Sequence, residues 1–231
     1  MIWIGIIILL FGGLFIYISQ RKKQSQSKLA KTEVRPVKEI KPGETVELEG
    51  KIEASHPLQT PFSKQDCVYY EYELEKEVEK EDKEGRVVHD WERVKSGHER
   101  INFNLRDGTG SIKIISEKAK IEARDLGEKF IGRGEPLGDS TLGKIFDFIA
   151  NDKYRTEEKA LLNGTRTYIY GQAMKDKDEV VIKKGNNDFI ISYRSEEEVE
   201  KSMAKKAMIF KVLGFIGIIG GVVLAVYSFF I

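Results

Sequence analysis

The sequence predicts a mainly β (α+β) protein: a small antiparallel β barrel or sandwich with one amphipathic helix, flanked by two transmembrane α-helices. Uncharged apolar runs occupy residues 1–18 and 212–231, and as α-helices each would cross roughly the 30 Å hydrocarbon layer of a bilayer. Between these runs, apolar and polar residues alternate over many short segments, as in strands with one buried face. We therefore divide the chain into a transmembrane helix at 1–20, a basic and polar linker at 21–45, a β-rich soluble domain at 46–194, a juxtamembrane helix at 195–211 and a second transmembrane helix at 212–231.

The alternation begins at Val46 and is clearest in the glutamate-rich segment 68–78. There Tyr70 and Tyr72 fall on the apolar side, with glutamates at every second position on the other side, so both tyrosines are predicted to be buried. Asp107-Gly108 and Lys184-Gly185 begin turn sequences between neighbouring strands. The strands predicted in this way include residues 46–52, 68–78, 87–94, 101–105, 111–115, 166–173, 180–183 and 189–193.

Two further segments have helical character. Ser140 or Thr141 can cap a helix whose apolar residues at 142, 145, 146 and 149 share one face. This helix can pack over the sheet or lie on the membrane surface, and its weakly basic polar face favours the sheet. Ser195 and Glu198 form a capping box, and no helix breaker separates it from the second apolar run. We therefore predict one helix that continues from the juxtamembrane segment into the second span.

Composition excludes several classes of function. The chain has 38 basic and 37 acidic residues, so it lacks the positive field of a nucleic-acid-binding protein, and we expect no nucleic-acid partner. Its one cysteine, Cys67, excludes an intrachain disulfide. The three histidines do not stand at zinc-site spacing from one another or from Cys67. No nucleophile or dinucleotide motif is present, so we assign no catalytic residue, no cofactor and no metal ligand.

Basic residues flank both apolar runs on the side of the soluble domain. Five lie within residues 21–31 and four within 201–211. The positive-inside rule then predicts a two-pass protein of the cell membrane, with the domain in the cytoplasm and both termini outside. The apolar runs carry no ionisable side chain, which disfavours transport. Gly217 and Gly221 form a small-xxx-small pattern, which fits packing against the first span or self-association of transmembrane helices.

Aromatic residues supply the candidate binding patch. Tyr69 shares the predicted outward face with the glutamates, and Trp91 lies on the neighbouring predicted strand. Such residues are commonly part of a core, but on an exposed face they provide apolar area for a partner. Tyr69 and Trp91 are therefore the candidate interaction residues.

Several short motifs in order along the chain resemble the GIDE domain, which is found in membrane-anchored E3 ubiquitin ligase-like proteins of the MULAN type. The opening motifs are 48–52, 57–58, 61–63 and 67–70, and the closing motifs are 154–161, 164 and 168–171. The resemblance covers residues 46–231, including the apolar run that follows the domain. The family-motif residues, to which we assign structural roles, are Gly50, Pro57, Pro61, Phe62, Cys67, Tyr69, Tyr70, Glu157, Gly164 and Gly171.

The resemblance implies ubiquitin or SUMO ligase activity in eukaryotic relatives, where a RING after the second span supplies catalysis. A RING requires about eight Cys and His ligands, and this chain cannot supply them. We therefore expect a non-catalytic interaction or scaffold module whose partners are the lipid bilayer and membrane-proximal proteins. One alternative is a substrate-recognition component of a ligase-like system in which another chain carries the RING. A second is a membrane-surface enzyme with scattered active-site residues such as His89, Asp107 and Glu157.

Overall fold

The computed structural model describes residues 2–29, 34–132 and 152–227. The chain forms two compact units: Arg35–Tyr193, and Met1–Val34 together with Arg194–Ile231. The first contains the strands and the second contains the long helices. The amphipathic helix predicted within residues 140–149 lies outside the described residues.

The described part of the first unit is mainly β, as predicted, with one short 3-10 helix at Val37–Glu39. Because β-strand alternation is a local property, most predicted strands coincide with observed ones. The strands are β1 Thr45–Glu53, β2 Leu58–Gln59, β3 Asp66–Glu81, β4 Val87–Arg100, β5 Phe103–Arg106, β6 Ser111–Ile114, β7 Lys120–Glu122, β8 Arg124–Ile131, β9 Tyr154–Leu162, β10 Arg166–Asp176, β11 Glu179–Lys183 and β12 Ile190–Ser192.

Five strands close into a barrel in the order β1-β5-β6-β11-β10, and β10 pairs back onto β1. The β6–β11 pair is parallel and the other four pairs are antiparallel. This order and its one parallel pair are those of a Greek-key barrel of the OB type. β12 and β7 extend the sheet from β10.

The barrel interior is packed with aliphatic side chains, among which Leu48, Ile114 and Ile182 are fully buried. Two glycines permit this packing. A Cβ on Gly50 would lie 2.6 Å from the carbonyl oxygen of Arg106, and a Cβ on Gly171 would lie 2.7 Å from Ile182 Cγ2. Glycine inside a strand often marks such a close approach. A side chain at either position would therefore collide with a neighbouring strand.

The second sheet is a half-barrel with the order β2-β3-β9-β8, and β4 also pairs with β3. Val68, Tyr69 and Leu161 of this sheet belong to the same apolar cluster as the barrel interior. The sheet is thereby joined to the barrel through a common core.

A register shift between Cys67 and Tyr69 in the β3–β9 pairing changes which tyrosines are buried. Successive side chains normally alternate between faces, but here Val68 and Tyr69 are both buried, at 1% and 6% exposure. Tyr70 and Tyr72, predicted to be buried, are half-exposed instead. The structure therefore places Tyr69 in the core and not on the exposed face that the alternation predicted.

The second unit contains α1 (Ile2–Leu29) and α2 (Glu196–Tyr227), which pack against each other. The rings of Phe15 and Phe210 stack at 5.8 Å, and Ser19 Oγ donates a hydrogen bond of 2.9 Å to the Ala207 carbonyl. A Cβ on Gly217 would lie 3.2 Å from Gly12 Cα, so small residues allow the two backbones to approach. Gly221, the other glycine of the predicted pattern, is buried, and Gly217 is half-buried.

Within the described residues, one segment is long and apolar enough to cross a membrane, Ala204–Leu224 of α2. The apolar part of α1, Ile6–Gln20, is shorter. The structure thus supplies a candidate membrane span near the carboxyl end, and the first predicted span stays a prediction. One half of the predicted capping box is present, with the Ser195 N–H donating to Glu198 Oε2 at 3.2 Å.

Candidate interaction surface

The half-barrel presents one face that is rich in charged and aromatic side chains, which we call the outer face. Strand alternation and register place its members side by side on four strands. On β3, Glu71 pairs with His98 of β4 and Lys159 of β9, and Glu73 pairs with Ser96 and Glu157. The outer face consists of Glu71, Glu73, Glu75, Glu77, Trp91, Arg93, Ser96, His98, Glu128, Phe130, Arg155, Glu157 and Lys159.

A groove of about 400 Å³ lies on this face. Pockets for small molecules and peptide side chains usually have volumes of about 300 to 1,000 Å³. The groove is therefore large enough to accept a segment of a partner. Its lining residues are Glu71, Tyr72, Glu73, Ser96, Gly97, His98, Glu157 and Lys159.

The groove is acidic. Glu157 stands between Glu73 on β3 and Glu128 on β8, so three carboxylates follow one another across neighbouring strands. Like charges directly opposite each other destabilise a sheet. Arg93 forms an ion pair with Glu73, which offsets part of this charge. The row of Glu73, Glu157 and Glu128 therefore keeps more negative than positive charge.

An aromatic bridge stands next to the groove. Trp91 on β4 and Phe130 on β8 are three strand spacings apart, about 14 Å in a flat sheet. Their ring centroids nevertheless lie 5.9 Å apart, so the two side chains meet over the intervening strands β3 and β9. Between them the guanidinium of Arg155 lies 5.0 Å from the Trp91 ring and donates to Glu75.

The bridge leaves apolar area exposed, since Phe130 is 62% exposed. Aromatic and arginine side chains are those that most often anchor protein interfaces. Of the two predicted patch residues, Trp91 lies on the outer face, next to the exposed ring of Phe130. Tyr69, the other, is buried and reaches the outer face only through its hydroxyl, which donates a hydrogen bond to Glu71 Oε2 at 2.7 Å.

A buried glutamate next to the groove fixes the loop before β3. Glu158 is 4% exposed, and its two carboxylate oxygens accept the N–H groups of Phe62 and Ser63 at 2.7 and 2.8 Å. The Phe62 ring then packs edge-on against Tyr72 at 5.8 Å. Sequence reasoning selected Glu157 as the motif glutamate, but Glu158 makes these contacts. A sequence signal for this would be a carboxylate on the buried face of an otherwise alternating strand.

Other family-motif residues occupy positions where they shape the fold. Pro61 is buried and Pro57 is half-buried in the segment between β1 and β3. Gly164 turns the β9–β10 hairpin with φ +79, a left-handed conformation that favours glycine. Burial raises the pKa of the Cys67 thiol to about 12, and the carboxylate of Glu158 adds to the shift. The Tyr70 hydroxyl donates a hydrogen bond to Glu99 Oε2 at 2.8 Å.

The three residues considered for a scattered active site do not come together. Glu157 lies in the groove, whereas His89 pairs with Glu79, six residues further along β3, a separation of roughly 20 Å. Asp107 is in the β5–β6 turn, where it accepts the Val37 N–H at 2.8 Å. Within the described residues, no group of three or more His, Cys, Asp or Glu side chains could hold a metal ion.

Comparison with known proteins gives one match. A family model described as "GIDE: E3 Ubiquitin ligase" matches residues 71–225, more than half of the chain. No curated protein and no solved structure matches the chain. The matched residues include the whole outer face, four of the five barrel strands and most of α2.

Proposed function

We propose that this chain, which belongs to the GIDE family, is a membrane-tethered β-rich interaction module that does not itself transfer ubiquitin. A RING needs about eight Cys and His ligands for zinc. The chain has one cysteine and three histidines, and the cysteine is buried. A RING therefore cannot be built from these residues, and the module acts by binding other proteins.

The observation that carries this proposal is the groove on the outer face. It combines about 400 Å³ of open volume with an acidic row and an adjacent exposed aromatic bridge. Charge provides selectivity and association rate, and desolvated aromatic area provides affinity. A partner segment with basic and apolar side chains matches both parts of the surface.

The test is site-specific photocrosslinking of the full chain in its native membrane. A photoreactive side chain replaces Ser96 in the groove or, as a control, Glu117, which is exposed between β6 and β7. We expect protein adducts from position 96 that are absent from position 117 and are lost when Glu157→Lys reverses the groove charge. The same adducts at both positions, or adducts insensitive to Glu157→Lys, would overturn the proposal.

The tether is part of the proposal. The candidate span Ala204–Leu224 is apolar, and four lysines lie within residues 201–211 at its beginning. The positive-inside rule then favours a cytoplasmic domain, with α1 as the second pass. An epitope inserted in the turn at 82–86 between β3 and β4 tests this orientation. We expect protection from protease in intact cells and cleavage after permeabilisation, whereas cleavage in intact cells would place the domain outside.

A second candidate function follows from the family description, which names E3 ubiquitin ligases. In this version the chain supplies substrate recognition and a separate chain supplies the RING. Purified full-length chain mixed with activating enzyme, conjugating enzyme and ubiquitin should then leave ubiquitin discharge at its background rate. A RING protein recovered with the wild-type chain, and lost with Glu157→Lys, would favour this candidate. Recovery of partners without any conjugation component would exclude it.

A further inference from the structure

The strand β4 has an unpaired edge that borders the groove. Among the strands that the structure describes, β4 pairs only with β3, and its register with β3 is regular from Lys95 to Arg100. Within this stretch Ser96, Gly97 and His98 line the groove. Lysine and proline normally guard such an edge, and none of these three residues is either. The groove is therefore open towards a free strand edge.

The backbone bonds to β3 show which groups of β4 face the free edge. The Ile101 N–H donates to the Val68 carbonyl at 3.0 Å, and residues along an antiparallel strand alternate between those that bond the partner strand and those that do not. Counting back from Ile101, positions 99, 97 and 95 bond β3, whereas the N–H and C=O groups of Ser96 and His98 point to the free edge. The side chains of these two residues are exposed. A strand added here would bond their backbones and set every second side chain of its own on the outer face.

We propose that a partner protein adds an extended segment to β4 at Ser96 and His98, and that this segment carries a lysine or arginine beside Ser96. The inference rests on the proposed function and deepens it, because it states how the groove holds its partner. In strand addition, main-chain hydrogen bonds give affinity and pockets for alternate side chains give specificity. The free edge supplies the first and the groove supplies the second.

The acidic row determines which side chain the groove accepts. Strands in a sheet are about 4.8 Å apart, so the backbone of Glu73 lies roughly 10 Å from an added strand, with Ser96 between them. The short side chain of Ser96 leaves room for a long cationic side chain to lie over it and reach Glu73. On the next strand, Glu157 forms no ion pair with the described residues, since the nearby basic side chains pair with the neighbouring glutamates. A cation delivered from the edge therefore meets carboxylates that the protein's own basic side chains only partly neutralise.

A designed peptide tests the mode of binding. The probe is a fluorescent peptide of alternating arginine and threonine, and its control is the same peptide with every arginine N-methylated. Both peptides carry the same charge, but the control cannot donate hydrogen bonds to the β4 edge from the residues whose side chains enter the groove. We expect the control to bind the full chain in detergent at least about tenfold more weakly, because several backbone hydrogen bonds are lost. Binding of the probe should also slow hydrogen exchange at the amides of Ser96 and His98. Equal binding of the two peptides would overturn strand addition.

Variants at position 96 and in the groove complete the test. Ser96→Pro removes an N–H that faces the free edge, a position where edge strands tolerate proline, whereas Ser96→Ala keeps this N–H. We expect Ser96→Pro and Glu157→Lys each to weaken probe binding at least about tenfold, and Ser96→Ala to leave it unchanged.

The outcomes separate this inference from the proposed function. Unchanged binding to a folded Ser96→Pro variant, with Glu157→Lys still weakening it, would overturn strand addition and leave the proposed function standing. Binding that Glu157→Lys also leaves unchanged would overturn both. If Ser96→Pro does not fold, the N-methylated peptide still decides, because it leaves the protein unaltered.

Discussion

Two adjacent glutamates on β9 should differ in their effect on stability when replaced. Glu158 is buried and accepts the N–H groups of Phe62 and Ser63, whereas Glu157 is half-exposed in the groove. Each hydrogen bond to a charged acceptor contributes roughly 1.5 to 3 kcal/mol. The loss of one such bond without a replacement would therefore cost up to about 3 kcal/mol, whereas Ser63 is exposed and its N–H can bond water instead. We therefore expect Glu158→Ala to lower the free energy of unfolding by about 3 kcal/mol.

The matched control is Glu157→Ala on the same strand. It removes one of three neighbouring like charges and should leave stability unchanged or slightly higher. Thermal unfolding of the full chain in detergent, followed by far-UV circular dichroism, measures both variants. For a domain of this size about 3 kcal/mol corresponds to a Tm lower by roughly 6 to 12 °C. Equal Tm values for the two variants would show that the Phe62 loop does not depend on Glu158.

Three other predictions concern the core, the thiol and the helices. Gly171→Val should destabilise the barrel by roughly 1 to 3 kcal/mol, because the new side chain overpacks against Ile182 and Phe189. Gly108→Ala, whose added Cβ meets open space, should be neutral in the same unfolding assay. A Gly171→Val variant as stable as the wild type would contradict the close approach at this glycine. The pKa of the Cys67 thiol is raised from 9.0 to about 12, so its contribution to stability is complete below pH 9 and is lost as the pH rises towards 12. A thiol reagent should therefore label Cys67 at about pH 8 only after the protein unfolds. Rapid labelling of the folded chain would refute this prediction. Gly217→Leu should separate α1 from α2 and increase the protease sensitivity of the chain. Gly220→Leu should not, because a Cβ at Gly220 has no neighbour within 4 Å. Equal protease sensitivity of the two variants would show that the close approach at Gly217 does not hold the helices together.

The predicted strands show which elements can be read from local sequence. β1 alternates in sequence and β10 contains a short run of aromatic and β-branched residues, and both were predicted. β9 was not predicted as a strand, because its buried face carries Thr156, Glu158 and Ala160 along with Tyr154, and this face does not look apolar in sequence. β8 is exposed along most of its length and therefore also lacks an alternating pattern.

Sequence reasoning could select only Trp91 on the outer face, and its role in binding stays a prediction. Phe130 and Arg155, which complete the aromatic bridge, come from strands that are distant in sequence from Trp91. Their proximity depends on the order β4-β3-β9-β8. Nothing in the local pattern around any one of these residues indicates the other two.

By itself the sequence determined a mainly β domain, two apolar helices, a balanced charge and a Cys and His count too low for a RING within these 231 residues, because alternation, apolar length and ligand counts are local or compositional properties. Only the tertiary structure decided that Tyr69 is buried, that Glu158 and not Glu157 holds the Phe62 loop, and that the acidic groove lies beside an aromatic bridge. A single register shift moves side chains to the other face of a sheet, and closure of the barrel depends on contacts between residues far apart in the chain.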